Sequence, residues 1–189
     1  MYGIMGENLS DVETLTVLIH RLAHSDSLQV KKKGYNGCGE MLRKGAKQLA
    51  LFKAQNCSRF IVCHDADGPD PKPKYELVRG RIVEPAGMNK HVCILIPVQE
   101  LEAWILADIE CAAKIFASWL PSPIHNPERI ARPKERLEQL SRDGGGRPRY
   151  SHATHNERMA KYLDLRKVAK KCPSFALLAD FVRNPSKSN

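Results

Sequence analysis

The segment FIVCHDADGPD, residues 60–70, runs from an apolar stretch directly into three aspartates. Its first half is rich in β-branched and aromatic residues, which favours a short strand. The segment VCILI at 92–96 is equally apolar and is closed by Pro97. Strands that are apolar throughout are typical of parallel sheets whose two faces are covered by helices. These two segments therefore predict an α/β fold.

Strand and helix patterns alternate along the first part of the chain. YGIMG at 2–6 and LQVKK at 28–32 predict two more strands. Ser10 with Glu13 has the spacing of a capping box, which predicts the start of the first helix. We expect a Rossmann-like, mostly parallel four-stranded sheet flanked by helices. The predicted helices lie near 11–24, 40–55, 74–84 and 100–119.

The chain changes character near residue 120. It has 189 residues and a formal net charge of +9. Residues 1–120 carry 15 Lys and Arg against 14 Asp and Glu, whereas residues 121–189 carry 15 against 7. We therefore expect an α/β domain at 1–120 that holds the acidic residues, with a basic helical C-terminal extension at 121–189 packed on it. Helical patterns in the extension lie at 128–142, 156–171 and 174–183.

Composition and segment lengths narrow the class of protein. The longest apolar run, VCILIPV at 92–98, is far shorter than the roughly 18 residues of a membrane span. The first residues lack the basic start and long apolar stretch of a secretory signal. We expect a cytoplasmic protein with no membrane partner. The excess positive charge favours a polyanion partner, above all nucleic acid.

Carboxylates follow two of the predicted strands. Glu7 and Asp11 come after the first strand, and Asp65 and Asp67 come after the third. Ligand sites of open parallel sheets form at the carboxyl ends of the strands, so we expect these groups to lie close together. In an extended chain residues i and i+2 point the same way, so Asp65 and Asp67 would present both carboxylates to one hard cation such as Mg²⁺. The alternatives are a helix-start role for Asp11 and a surface turn at 65–70.

The same residues resemble the signature of the TOPRIM fold family. The segment ENLSD at 7–11 resembles its glutamate motif, and DAD at 65–67 resembles its D-x-D motif. VQELEAWILAD at 98–108 and CPSFALLADFV at 172–182 resemble a narrower group, the short TOPRIM-like proteins long described as having unknown function. The resemblance covers nearly the whole chain.

This resemblance implies phosphodiester chemistry that depends on Mg²⁺ or Mn²⁺. Known TOPRIM activities include those of topoisomerases, primases and nucleases. A topoisomerase needs a tyrosine nucleophile on a separate large domain, and a primase needs further template-handling domains. A nuclease that acts on DNA or RNA needs only an acidic site and a basic surface, so it fits this chain best.

The resemblance also implies roles for individual residues. Glu7, Asp65 and Asp67 would be metal ligands, with general base as the alternative role of Glu7. Asp11 would support a second metal position or orient another ligand. Glu102, in the ELEAW segment, is a candidate additional acid, and an exposed glutamate at a helix start is its alternative.

Two positions depart from the TOPRIM pattern. Asn8 stands where the family usually has Gly, and Pro69 stands where a third acid is usual. The departures leave open a catalytically inactive TOPRIM scaffold that binds nucleic acid or an ATPase partner. A phosphohydrolase of small substrates is a third hypothesis, which the basic C-terminal third disfavours.

Basic side chains of the extension are the expected contacts to nucleic acid. Arg147 and Arg149 follow a glycine run, and we expect them in a loop that closes over nucleic acid. A solvated loop is the alternative. The other residues of the predicted interface are Lys134, Arg158 and Lys161.

A partner protein is also implied by the resemblance. The short TOPRIM-like proteins are similar to the nuclease half of OLD-type anti-phage defence systems, in which an ATPase controls cutting. The present sequence contains no Walker-type phosphate-binding loop. The resemblance therefore implies an ATPase partner supplied by another chain.

Overall fold

The computed structural model describes residues 1–88, 90–144 and 146–184. Four strands form one sheet in the order β2-β1-β3-β4, and every pair is parallel. The predicted α/β architecture, a parallel four-stranded sheet flanked by helices, is confirmed and is compatible with a Rossmann-like fold. The strands are β1 (Tyr2–Gly6), β2 (Val30–Gly34), β3 (Arg59–Cys63) and β4 (Val92–Leu95).

Helices connect the strands, and helices joined by irregular segments make up the described C-terminal part. A π-helical turn at Arg79–Val83 continues the third helix, and 3₁₀ turns lie at Ile109–Lys114 and Pro127–Arg129. None of the described helices has the length and apolar character needed to cross a membrane. The α-helices are α1 (Leu9–Ala23), α2 (Cys38–Ala54), α3 (Lys72–Val78), α4 (Glu102–Ala107), α5 (Pro133–Leu140), α6 (His152–Ala160), α7 (Leu165–Lys171) and α8 (Pro173–Arg183).

The first helix begins earlier than predicted, and the capping box of Ser10 with Glu13 is wrong. Asn8 is the N-cap: its side chain accepts from the Asp11 backbone N–H at 3.0 Å. The Asp11 carboxylate accepts in return from the Asn8 N–H at 3.2 Å. The Ser10 hydroxyl instead donates to the carbonyl of His152 at 2.8 Å, which ties α1 to the start of α6.

The single long helix predicted at 100–119 is also wrong, because α4 ends at Ala107. Asp108 leaves the helical conformation with φ −133° and ψ 50°. Its carboxylate accepts from the backbone N–H of Asp164 and lies 2.7 Å from Nζ of Lys167. A contact between distant parts of the chain thus accompanies the end of the helix.

The predicted helix at 156–171 is divided into α6 and α7. Asp164 lies between them and caps α7, since its side chain accepts from the backbone N–H groups of Arg166 and Lys167. The pattern at 128–142 shrinks to α5, which has Pro133 in its first turn. Proline suits that position because its missing N–H has no partner in a helix start.

Hydrophobic cores lie on both faces of the sheet. Ile61 of β3 packs on one face in a larger core that includes α1, α4 and α8, and Val62 packs on the other face with α2 and the π-helical turn. The larger core also contains Met159 and Phe175, which follow the boundary expected near residue 120. Residues on either side of that boundary therefore pack together.

The carboxyl edge of the sheet is tightly built. A Cβ added at Gly34 would lie 2.7 Å from the backbone N of Leu9, so only glycine fits where β2 ends against the start of α1. Gly37 has φ 98°, a conformation that favours glycine, and caps α2. Its N–H donates to the carbonyl of Glu7 at 2.8 Å. The start of α2 is therefore held against the residue that follows β1.

Candidate functional site

Four carboxylates gather at the carboxyl edge of the sheet. Glu7 follows β1, Asp65 follows β3, and Glu102 begins α4 just after β4. Asp11 lies in the first turn of α1 and is 7% exposed, and Glu102 is 5% exposed. The charges of Asp11, Glu102 and Glu7 all act on Asp65. The carboxyl ends of the parallel strands thus bring the predicted acids of distant segments into one cluster.

Asp65 is held by the loops on both sides of it. Its backbone N–H donates to Oε1 of Glu7 at 2.9 Å, and its Oδ1 accepts from the backbone N–H of Leu101 at 3.0 Å. These bonds join the segments after β1, β3 and β4. The position of the carboxylate is therefore set by three separate parts of the chain.

Burial and the charges of neighbouring carboxylates disfavour the charged forms of Asp65 and Asp11. Burial, followed by the charges of Asp11, Glu102 and Glu7, raises the pKa of Asp65 well above its usual range. Burial, followed chiefly by the charge of Glu102, raises the pKa of Asp11 to about 7. Such clusters are stabilised either by protons or by a bound cation.

Glu102 is buried, so the alternative of an exposed glutamate at a helix start is wrong. Its Oε1 accepts from Nδ2 of Asn156 at 3.0 Å. The hydroxyl of Tyr150 donates to Oδ1 of Asn156. Sequence reasoning missed this buried chain, which connects the extension to the carboxylates, because no local pattern marks Asn156 as a partner of Glu102.

Asp67 points to a different partner. The expectation of an extended chain through 65–67 is wrong, since Asp67 has φ 52°. Its side chain is 59% exposed and lies 2.7 Å from Nζ of Lys74. The backbone N–H groups of Ala66 and Asp67 donate to the carbonyls of Pro97 and Gln99, which fold this loop onto the loop after β4. The surface-turn alternative describes Asp67 better than Asp65, and metal ligation by Asp67 stays a prediction.

His64 and Cys38 lie beside Glu7, and neither was predicted as a site residue. His64 is 1% exposed, and its Nδ1 lies 2.9 Å from Oε1 of Glu7 and 2.7 Å from the carbonyl of Asp65. Burial lowers the pKa of His64, but the hydrogen bond and charge of Glu7 outweigh it, and the net shift is upward. The position of His64 directly after an apolar strand was the available signal.

The chain matches the sequence profile of one protein family. The profile of a domain of unknown function, DUF4276, matches residues 7–183. The chain belongs to the DUF4276 family. Searches of curated proteins and of solved structures give no significant match. The matched part of the chain runs from Glu7 to the end of α8.

The predicted nucleic-acid contacts of this DUF4276 chain differ in their surroundings. Arg147 is exposed. Arg149 is partly buried: its Nη1 donates to the Ser118 hydroxyl at 2.6 Å, and its guanidinium lies 5.9 Å from the ring centre of Phe116. Arg149 therefore holds the loop in place, whereas the side chain of Arg147 is exposed to solvent.

The remaining predicted contacts lie on α5 and α6 or directly after α6. The backbone N–H of Lys134 donates to Glu100 at 2.9 Å, and Lys134 is partly buried. Arg158 is exposed, and Lys161 pairs with Glu157 at 3.1 Å. Binding of nucleic acid by these residues stays a prediction.

Proposed function

We propose that this DUF4276 protein is a divalent-metal-dependent nuclease with a TOPRIM-like fold. The observation that supports it is the gathering of the buried Asp11 and Glu102 with the partly buried Glu7 and Asp65 at the carboxyl edge of a parallel sheet. Like charges in a poorly hydrated place repel each other strongly. A divalent cation relieves that repulsion and offers a reason for the cluster to exist.

The donor set fits a hard cation. Carboxylate oxygens are the ligands that Mg²⁺ and Mn²⁺ prefer, and Glu7 and Asp65 would hold the ion with Asp11 and Glu102 beside them. Asp67 would join them only after leaving Lys74. When bound, the ion supplies positive charge that stabilises phosphate in hydrolysis.

The protein's own side chains would position the substrate. The Asp67 contact raises the pKa of Lys74, and the charge of Glu7 also acts on this lysine. Lys74 therefore lies at the mouth of the site as a cation for a phosphate oxygen. The chain from Glu102 through Asn156 to Tyr150 keeps the acidic residues aligned with the extension.

The rest of the proposal concerns partners and place of action. The basic extension would bind the backbone of DNA or RNA electrostatically. The anti-phage role, the ATPase partner and the cytoplasmic location rest on the resemblance to OLD-type systems. The nuclease is tested first without a partner.

The test is a gel time course on supercoiled plasmid, single-stranded DNA and RNA in Mg²⁺, Mn²⁺ or EDTA. We expect cutting that needs the metal and falls by at least about a hundredfold in Glu7→Gln and in Asp65→Asn. The matched control is Lys53→Glu, which changes a charge near the opposite edge of the sheet. Cutting by Asp65→Asn at the wild-type rate would refute the assignment.

The alternative function is a TOPRIM-like scaffold that binds nucleic acid or an ATPase without cutting. The ion pair between Asp67 and Lys74 favours it, because that carboxylate already has a partner. Binding of nucleic acid that persists in EDTA, with no cleavage in any metal, would support the scaffold over the nuclease.

A further inference from the structure

A second group of potential ligands lies beside the carboxylates. Ligand atoms of Glu7, Cys38 and His64 all lie within 4.8 Å of one another. The three residues come from the loop after β1, the first turn of α2 and the end of β3. The bond from the Gly37 N–H to the carbonyl of Glu7 holds the start of α2, and with it Cys38, in this place.

The imidazole of His64 supplies an independent sign of a ligand. Its side chain is fully buried, and Nδ1 is shared between Glu7 and the carbonyl of Asp65. Nε2 is also buried and has no hydrogen-bond partner among the described residues. Buried polar atoms almost always have a partner, so the protein's own groups leave this imidazole incompletely satisfied.

The chemistry of the three side chains selects a class of metal. A thiolate, an imidazole and a carboxylate together suit Zn²⁺ and Co²⁺, whereas Mg²⁺ prefers oxygen ligands alone. In a tetrahedral zinc site the ligand atoms lie about 3.3–3.6 Å apart, as the bond lengths require. The ligand atoms of the three residues lie at most 4.8 Å apart, so side-chain shifts of about 1 Å would bring them to that spacing.

The site also has access to solvent. The side chain of Glu7 is 17% exposed, and Cys38 is partly exposed. Three protein ligands with an open fourth position are the arrangement of catalytic zinc sites, whereas structural sites are closed by four. Water or a phosphate oxygen could take the open position.

We propose that Glu7, Cys38 and His64 form a binding site for a transition metal of the zinc class. This site lies beside the hard-cation site of the carboxylates, and Glu7 belongs to both. The inference goes beyond the proposed nuclease, since the metal would bind without nucleic acid and without hydrolysis. It assigns a function to Cys38 and His64, which the nuclease proposal does not use.

The test is titration of the reduced, metal-free protein with Co²⁺, followed by absorption spectroscopy. A Co²⁺ ion bound to a thiolate gives an intense near-ultraviolet charge-transfer band, which a site made only of oxygen ligands does not give. We expect this band at one equivalent. Zn²⁺ should remove it at equimolar concentration, and millimolar Mg²⁺ should leave it unchanged.

Two variants locate the site. Cys38→Ser should abolish the band and weaken Zn²⁺ binding at least about 100-fold. Loss of a group that only orients a metal ligand already lowers metal affinity by up to about 100-fold, and Cys38 would be a ligand itself. Serine suits a helix start, so this variant should fold. His64→Asn should weaken binding to a similar degree. Cys57→Ser, which changes a buried cysteine near the amino edge of the sheet, is the matched control and should keep the band.

Each outcome decides the proposal. A wild-type protein without the band, a band that survives in Cys38→Ser, or a band that Mg²⁺ removes would overturn it. Circular dichroism checks folding, and if His64→Asn fails to fold, Cys38→Ser decides alone. A wild-type protein that shows the cobalt band but cuts no substrate would refute the proposed nuclease and would still support this metal site.

Discussion

The two ends of the parallel sheet differ in charge. The carboxyl end holds the partly buried Glu7 and Asp65 and the buried Asp11 and Glu102. The amino end carries a groove of about 720 Å³ whose lining includes Lys53, Arg59 and Lys90. In a parallel α/β unit each helix starts at the carboxyl edge and finishes at the amino edge. Helix starts favour negative charge and helix ends favour positive charge, so the topology itself helps to separate the two signs.

The two ends also differ in how their charges are satisfied. Arg59 lies 4.1 Å from the ring centre of Phe181 and 5.6 Å from that of Tyr2, and it donates to the carbonyl of Phe181. It thus faces aromatic rings and a carbonyl. Asp65 and Asp11 face other carboxylates. Repulsion between neighbouring carboxylates at the carboxyl end is the property expected of an ion site.

The largest expected effect is a pH dependence of stability. Asp11 has a pKa of about 7 in the folded protein against 3.8 ordinarily, so the folded state holds this proton more tightly. The resulting stabilisation is complete below pH 3.8 and is lost as the pH rises through about 7. The raised pKa of His64 acts in the same direction. We expect the free energy of unfolding to fall by up to a few kcal/mol over this window.

Urea unfolding of the metal-free protein in EDTA at pH 5, 6, 7 and 8 measures this dependence. Asp11→Asn should make the profile less steep, because the amide keeps the acceptor for Asn8 and removes one titrating group, while His64 still titrates. Lys53→Glu, at the other end of the sheet, should leave the slope unchanged. Stability that increases from pH 5 to pH 7 would contradict the difference between the two ends.

The next effect concerns the buried hydrogen bonds that Asn156 makes at the acidic end. Asn156→Ala leaves Glu102 and the Tyr150 hydroxyl without their partner. Unpaired buried polar groups cost about 1–3 kcal/mol each, so we expect the free energy of unfolding to fall by about 2–3 kcal/mol. Asn184→Ala, at a partly exposed position where only a surface hydrogen bond to Asp180 is lost, should change it by less than about 0.5 kcal/mol. Equal losses in both variants would show that the buried chain is unimportant.

A smaller effect is expected at the start of α1. Asn8→Ala removes the N-cap side chain and should lower the free energy of unfolding by about 1 kcal/mol. Asn8→Ser keeps a capping oxygen and should remain close to wild type. Thermal unfolding of the two variants makes the comparison, and a cap is excluded if serine and alanine destabilise the protein equally.

The smallest effect separates two arginines beside the acidic end. Exposed Arg147 should contact phosphate, whereas Arg149 is engaged by Ser118 and Phe116. We expect Arg147→Ala to lower the slope of log affinity against log salt by about 1 with stability unchanged. Arg149→Ala should lower the free energy of unfolding as well. Fluorescence anisotropy in EDTA measures binding, and an unchanged slope for Arg147→Ala would remove this residue from the interface.

Much of the fold could be predicted because its signals are local. The apolar runs at 60–63 and 92–96 identify the neighbouring strands β3 and β4, and helical spacing identifies α1 and α2. Parallel topology then brings Glu7 and Asp65 to the same edge without further information. The capping box was missed by two residues because Asn8 and Asp11 form the same pattern as Ser10 and Glu13.

The remaining features depend on contacts between distant segments. Asp67 turns away from Asp65 because its loop bonds to the loop after β4. The long helix ends at Asp108, where this carboxylate meets Asp164 and Lys167. Glu102 is buried because Asn156, far along the chain, reaches it. None of these partners has a signature in the neighbouring sequence.

The sequence by itself determined the α/β class, the strands and the presence of acids at their ends, because periodicity and strand-end position are properties of short segments. Only the tertiary structure decided which side chains form the site. It brought Cys38 and His64 to Glu7, buried Glu102 and directed Asp67 to Lys74. The physical reason is that burial, charge repulsion and hydrogen bonding depend on neighbours in space, which the order of residues along the chain does not reveal.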